Sequence, residues 1–84
     1  MIAKKTAPRL EQAGVMFRVE LGFTDRECLI SKNALSHLRR LKGTQIDLLQ
    51  TYCAFEDQIH QVARRLVAAG VSGSPLVIGT AYFV

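Results

Sequence analysis

Residues 28–38, with the sequence CLISKNALSHL, contain the point at which the hydrophobic pattern of the chain changes its period. Up to Ile30 the apolar residues follow the pattern of a strand, and beyond Ser31 they recur at the three- and four-residue spacing of a helix. This change predicts a strand that leads directly into a helix. A serine at such a junction can accept a hydrogen bond from a backbone N–H of the first helical turn, so we predict that Ser31 is the N-cap.

The same junction could instead bind a ligand. The free N–H groups at the start of a helix attract phosphate or carboxylate groups, and Lys32 and Asn33 would assist. However, the helix dipole supplies only about 0.3–1 kcal/mol, whereas millimolar binding requires roughly 4 kcal/mol. No glycine-rich turn surrounds Ser31 to let a ligand approach the backbone. The sequence therefore favours a structural cap over a ligand site.

The segment before Ser31 predicts an antiparallel hairpin. From Val15 to Leu21 every second residue is apolar, which is the pattern of a half-buried strand. Residues 22–26, GFTDR, supply glycine and aspartate for a turn, after which the alternation resumes. Residues 1–13 show no sustained apolar period, so we expect a flexible basic N-terminal arm followed by a single α+β domain over residues 14–84.

The segment after Ser31 predicts two helices and a third strand. The first helix is expected over residues 32–41, with Gly43 closing it in a left-handed conformation. Thr44 begins the stretch TQID, which resembles a capping box and predicts that Thr44 caps the second helix. The apolar positions then continue at helical spacing up to Gly70 and predict one long amphipathic helix through Leu48, Tyr52, Phe55, Ile59, Val62 and Leu66. Residues 75–83, PLVIGTAYF, predict the closing strand.

The predicted order of strand, strand, helix, helix and strand is that of a two-layer α+β domain, with both helices on one face of a small, mainly antiparallel sheet. The second face of such a sheet has no cover, so apolar residues on it are either exposed or buried by another chain. We therefore expect a homodimer that forms through this open face or through the C-terminal strand. The last strand adds one of two apolar rows, either Leu76 with Ile78 or Val77 with Phe83. The candidate residues for self-association are Met16, Leu29, Val77 and Phe83.

The charge of the chain permits an acidic partner without requiring one. Eleven Lys and Arg residues against seven Asp and Glu residues give a formal net charge of +4. Weak accessory binding of nucleic acid is therefore the alternative function. The basic residues that would make the contact lie in the N-terminal arm and at the end of the first helix, namely Lys4, Lys5, Arg9, Arg39, Arg40 and Lys42. The helix dipole also favours cations at a helix end, so the last three have a structural explanation as well.

No group of residues has the spacing that catalysis or metal binding requires. His37 and His60 are the only histidines, and neither has Cys, His, Asp or Glu at a metal-binding spacing. His60 is expected on the solvated face of its helix, between Glu56 and Arg64. The two cysteines are expected to be reduced and packed as small hydrophobic residues. We expect neither enzymatic activity nor a cofactor or metal.

The sequence predicts neither a membrane-spanning segment nor a signal peptide. No apolar run approaches the roughly 18 residues that a membrane helix needs, and residues 1–10 lack the apolar segment of a signal peptide. We expect a cytoplasmic protein without membrane contact. Its expected function is that of a non-enzymatic interaction or regulatory module, whose partners are a second copy of the chain and a further protein that the sequence does not identify.

Three features together resemble a small bacterial family of unknown function, the one numbered 1488. They are the strand at residues 17–19, the stretch ECLISKNAL at residues 27–35, and the helical positions Phe55, Ile59 and Ala63 ahead of the terminal VIGTAYF. The resemblance covers about residues 15–83 and rests mostly on apolar core positions. It implies the two-layer α+β fold, and it implies no catalytic residues.

Overall fold

The computed structural model describes residues 7–22, 24–43 and 45–83, which form four strands, three α-helices and a short 3₁₀ helix. In chain order the elements are β1 (Arg9–Leu10), β2 (Gly14–Leu21), β3 (Thr24–Ser31), α1 (Lys32–Lys42), α2 (Leu48–Ala54), α3 (Glu56–Ala68), β4 (Leu76–Ile78) and the C-terminal 3₁₀ helix (Thr80–Phe83). The predicted α+β class is confirmed. Within the described ranges, no helix combines the length and the apolar character needed to cross a membrane.

The four strands form one mixed sheet in the order β1-β2-β3-β4. β1 pairs with β2 and β2 pairs with β3 in antiparallel orientation, whereas β4 is parallel to β3. The connection between these two parallel strands carries all three α-helices. The sheet is therefore mainly antiparallel, as predicted, with β4 as the exception.

The predicted hairpin of β2 and β3 is confirmed, and glycine shapes both of its ends. Leu21 pairs with Thr24, and Gly22 in the intervening turn has a φ of 65°, which glycine adopts without steric cost. At the opposite end Gly14 pairs with Ser31, and a Cβ atom at Gly14 would overlap the backbone carbonyl oxygen of Ile30. Glycine is required at position 14 because the two strands approach too closely there for a side chain.

Both predicted ends of α1 are confirmed. The Ser31 hydroxyl oxygen accepts a hydrogen bond from the Ala34 N–H at 3.1 Å, which is the geometry of an N-cap. At the other end Gly43 has a φ of 74°, and its N–H donates to the carbonyl oxygen of Arg39. Ser31 is also the last residue of β3, so the strand leads into the helix without an intervening loop.

The prediction of one long helix over residues 44–70 is wrong, because the chain forms two helices that meet at Phe55. Phe55 has a φ of −112° and a ψ of 19°, away from α-helical values. Its N–H is shared between the carbonyl oxygens of Thr51 and Tyr52. In addition, the Thr51 hydroxyl donates to the carbonyl oxygen of Asp47 at 2.8 Å. A threonine that bonds back to the preceding turn in this way often bends a helix.

The N-cap of α2 is Asp47, so the prediction that Thr44 caps this helix is wrong. The Gln50 N–H donates to Asp47 Oδ1 at 2.7 Å, and the Asp47 N–H donates to Gln50 Oε1 at 3.1 Å. These two reciprocal bonds form a capping box three residues further along the chain than predicted. Thr44 itself lies outside the described residues.

The core lies between the helices and one face of the sheet, here called the inner face. Strand residues that alternate along β2 and β3 meet the apolar stripes of the helices there. Its buried residues are Val15, Phe17, Val19, Cys28, Ile30, Ala34, Leu35, Leu38, Tyr52, Ile59, Ala63, Leu76 and Ile78.

Both ends of the domain differ from the prediction. Arg9 and Leu10, which fall in the segment expected to be a flexible arm, pair with Met16 and Val15 of β2. At the other end β4 stops at Ile78 instead of continuing to residue 83. The chain then turns into the 3₁₀ helix, which packs on α1.

Candidate functional site

The face of the sheet opposite the helices, here called the outer face, carries an apolar row that crosses three strands. Met16, Leu29 and Val77 are cross-strand neighbours in the register of β2, β3 and β4. Arg9 of β1 extends the row beside Met16. The described helices leave this face open, because their buried apolar residues all belong to the core on the inner face. The structure thus brings together three of the four residues predicted for self-association.

The three apolar side chains of this row offer different amounts of surface. Val77 is 56% exposed, whereas Leu29 is 9% exposed. Leu29 has Met16 on one side and Val77 on the other, which accounts for its low exposure. Met16 is half-buried. Met16 and Val77 therefore provide the accessible apolar surface, and Leu29 fills the centre of the row.

Charged residues continue the outer face towards the turn between β2 and β3. Arg18 and Glu27 are cross-strand partners, and their side chains form an ion pair of 3.8 Å at 46% and 39% exposure. Glu20 and Asp25, both acidic, form the next cross-strand pair. An ion pair that is this exposed contributes about 0–1 kcal/mol. Arg18 and Glu27 can therefore exchange partners at little energetic cost.

Phe83 does not belong to the outer face. It lies in the 3₁₀ helix and packs, half-buried, against the core. Leu76 and Ile78 are buried on the inner face, which leaves Val77 as the outward residue of β4. The predicted row of Val77 with Phe83 is wrong because the strand ends before Phe83.

The four described residues among those predicted to contact nucleic acid do not form one surface. Lys4 and Lys5 lie outside the described residues. Arg9 lies on the outer face, where its side chain forms an ion pair with Glu11 at 3.4 Å. The other three residues lie in the last turn of α1, on the helical side of the sheet, and they are Arg39, Arg40 and Lys42.

The last turn of α1 borders an open cleft of about 490 Å³, here called the arginine cleft. Arg39 is half-buried, and its Nη1 donates to the carbonyl oxygen of Ile46 at 3.0 Å, which fixes the guanidinium group at the edge of the cleft. Arg40 is exposed. The described residues that line it are Ser36, Arg39, Arg40, Gly43 and Gln45. None of these five is acidic, and none has an apolar side chain.

An aromatic cluster joins α2, α3 and β2. The Tyr52 hydroxyl and His60 Nε2 are in hydrogen-bond contact at 2.7 Å, and the His60 ring stacks on Phe17 with centroids 5.2 Å apart and planes 8° apart. The expectation that His60 is solvated is therefore wrong, since it is half-buried between these two partners. Tyr52 and His60 lie eight residues apart, in the two helices that meet at Phe55, so no helical spacing in the sequence indicated this contact.

Burial makes the Tyr52 hydroxyl and the Cys28 thiol weaker acids. It raises the pKa of the Tyr52 hydroxyl above its ordinary value, and the negative charge of Glu56 raises it further. Burial also raises the pKa of the Cys28 thiol to about 11, against the opposing influence of Arg26. A neutral thiol is a poor nucleophile, so the structure gives Cys28 a packing role. Cys53 is exposed on α2, contrary to its predicted place beside the core.

In the part of the chain that the structure describes, no three His, Cys, Asp or Glu side chains lie close enough together to hold a metal ion. No family model, curated protein or solved structure matches the chain. The resemblance to the family numbered 1488 stays a prediction. Proposals about function therefore depend on the outer face and the arginine cleft.

Proposed function

We propose that the protein is a non-enzymatic interaction module that forms a homodimer through the outer face of its sheet. The observation that carries the proposal is the apolar row of Met16, Leu29 and Val77 on a sheet face that the described helices leave open. Apolar residues aligned across neighbouring strands lose contact with water when a second sheet packs on them.

The outer face is complementary to a second copy of itself. In the proposed dimer, a two-fold axis runs parallel to the strands, midway between β2 and β3. This axis places β2 of each copy over β3 of the other copy. Met16 then faces the partner's Leu29, because these two positions are register partners within one chain. For the same reason Arg18 faces the partner's Glu27. The symmetry makes each of these contacts twice, as in other isologous dimers.

The size of the face indicates a weak, reversible dimer. At standard strand spacings the eight-residue strands β2 and β3 cover about 250 Å², and β1 and β4, of two and three residues, add about 80 Å², which is roughly 330 Å² per copy. Two copies would bury about 660 Å², which is below the range of stable specific interfaces and is typical of a transient contact. We expect a dissociation constant in the micromolar range, because Met16 and Val77 alone supply most of the accessible apolar surface.

Light scattering over a concentration series tests this proposal. We expect the mass to rise from 9.3 kDa towards twice that value as the concentration reaches hundreds of micromolar. Val77→Lys should keep the protein monomeric throughout. The matched control is Leu41→Lys, since Leu41 is 65% exposed on α1 and away from the outer face. A monomeric wild type, or equal weakening by both variants, would contradict the proposal.

A charge exchange between two variants tests the two-fold arrangement itself. In Arg18→Glu, acidic groups of the two copies would oppose each other, and in Glu27→Arg, basic groups would do so. Each variant alone should therefore be monomeric. A mixture of the two should form a heterodimer, because every cross-chain pair is then oppositely charged. If the chains dimerised through the edge of β4 instead, the mixture and the separate variants would associate to the same extent.

Two proposals about the cellular location and the family of the protein come from its sequence. We propose a cytoplasmic location, which agrees with the free thiols of Cys28 and Cys53. We also keep as a proposal the place of this chain in the bacterial family numbered 1488, which the stretch ECLISKNAL supports.

A further inference from the structure

The arginine cleft combines cations with neutral hydrogen-bond donors. Arg39 uses one N–H on the carbonyl oxygen of Ile46 and retains the other donors of its guanidinium group. Ser36 and Gln45 add a hydroxyl group and a side-chain amide to the lining. Among the described residues, the ion pairs are Arg9 with Glu11 and Arg18 with Glu27, so the cations at the end of α1 are not neutralised by an acidic side chain. The cleft is thus suited to a ligand that is anionic and accepts several hydrogen bonds.

The nearest acidic residue along the chain forms no ion pair with the described cations of the cleft. Asp47 follows the cleft residue Gln45 by two positions, and its carboxylate accepts the Gln50 N–H as the N-cap of α2. The carboxylate is therefore engaged at the start of another helix. Lys42, which is exposed in the same turn as Arg39 and Arg40, adds a third positive charge next to the cleft.

We propose that the arginine cleft binds the sugar-phosphate backbone of double-stranded nucleic acid. Contacts to phosphate and sugar need only cations and hydrogen-bond donors, and these are the groups that the cleft presents. An acidic peptide would normally also place apolar side chains in its binding site, but none of the five described lining residues has an apolar side chain. Single strands are usually held by stacking of bases on aromatic side chains, and none of these five described residues is aromatic.

The proposal is independent of self-association. The arginine cleft lies at the end of α1, on the helical side of the sheet, whereas the proposed dimer uses the outer face. A dimer would carry two such clefts, and a monomer would carry one. The binding site is complete within one chain in both cases.

The number of cations sets the expected dependence of binding on salt. If Arg39, Arg40 and Lys42 each neutralise one phosphate, the slope of log K against log salt concentration is about −2.7. Affinity would then fall about 40-fold between 50 and 200 mM salt. A binding site of this kind recognises the backbone, so the affinity should vary little with base sequence.

Fluorescence anisotropy with a short labelled DNA duplex tests the proposal on the full chain. Arg40→Glu should weaken binding at least tenfold and reduce the salt slope by about 1 or more. The matched control is Arg65→Glu, because Arg65 is also an exposed arginine in the last turn of a helix, α3, and carries the same change of charge. We expect the control to change the affinity less than twofold.

A second pair of variants separates the site from the general charge of the protein. Gln45→Glu places a carboxylate in the lining of the cleft, and Gln61→Glu places one at an exposed position of α3. Only Gln45→Glu should weaken binding. Circular dichroism of all four variants checks that the fold is retained, and none of the four positions is buried.

Several results would overturn the proposal. Absence of duplex binding at low salt would remove it, and equal losses in Arg40→Glu and Arg65→Glu would reduce the binding to a general effect of net charge. Tighter binding of single-stranded DNA than of the duplex would show a different ligand. Displacement of the duplex by a polyglutamate peptide at comparable concentration would assign the cleft to an acidic protein instead.

Discussion

The buried thiol of Cys28 should make the stability of the protein fall as the pH rises above 9. Burial raises the pKa of this thiol from 9.0 in the unfolded chain to about 11 in the folded protein. Between these two values the unfolded chain loses the proton while the folded protein keeps it. The unfolded state then binds fewer protons, so the free energy of unfolding decreases with increasing pH. Below pH 9 both states are protonated, and the full stability is present.

The magnitude follows from the size of the shift. With a change of two pKa units, this thiol should remove about 1 kcal/mol of stability at pH 10 and about 2 kcal/mol at pH 11. A domain of this length has a total stability of about 4–13 kcal/mol, so the loss is a measurable fraction. The Tyr52 hydroxyl adds to the decline at still higher pH, because burial raises its pKa in the same direction. A comparison of variants is therefore needed to isolate Cys28.

Urea denaturation followed by circular dichroism, in the presence of a reducing agent, provides that comparison. Cys28→Ala should be less stable than the wild type at pH 7.5, because it leaves a small cavity in the core. This difference should shrink by about 2 kcal/mol between pH 7.5 and pH 11, because the variant lacks the group that titrates. Cys53→Ala changes an exposed thiol and should retain the wild-type pH dependence. A difference between wild type and Cys28→Ala that stays constant with pH would refute the reasoning.

Three further predictions concern the fold. Tyr52→Phe removes the contact with His60 Nε2 at 2.7 Å and should cost about 1 kcal/mol in urea denaturation, whereas an unchanged stability would contradict a role for this bond. Gly14→Ala places a Cβ atom against the carbonyl oxygen of Ile30 and should cost about 3 kcal/mol or prevent folding. Soluble expression and thermal denaturation check this prediction. A wild-type melting temperature would disprove it. Asp47→Ala removes the cap of α2 and should lower the melting temperature by about 4–8 °C, with a shift under one degree counting against the capping box.

Local patterns predicted the elements whose structure depends on near neighbours. The hairpin follows from alternation along β2 and β3, and α1 follows from Ser31 and Gly43, whose hydrogen bonds reach only three and four residues. The break at Phe55 was not predictable in this way, because the apolar stripe continues across it at unchanged spacing. The hydrophobic pattern also does not register hydrogen bonds such as that of the Thr51 hydroxyl, one turn before the break.

Alternation along a strand predicts which residues share a face of the sheet, and this part of the candidate sites was predictable. Alternation along β2 and β3 placed Met16 and Leu29 together, and the register confirms their pairing. The low exposure of Leu29 was not predictable, since it depends on β4, which joins the sheet from far along the chain. The arginine cleft was also missed, because its shape depends on how the segment after Gly43 passes Arg39 and bonds to it through Ile46.

The absence of a loop between β3 and α1 restricts where the length of this chain can vary. An inserted residue after Ser31 would turn the buried side of α1 by about 100° away from the sheet, and a deletion there would turn it by the same angle the other way. The segment between α3 and β4, whose exposed residues 69–74 lie outside the regular elements, has room for extra residues. Natural or engineered insertions should accumulate in that segment and be missing at the strand-to-helix boundary.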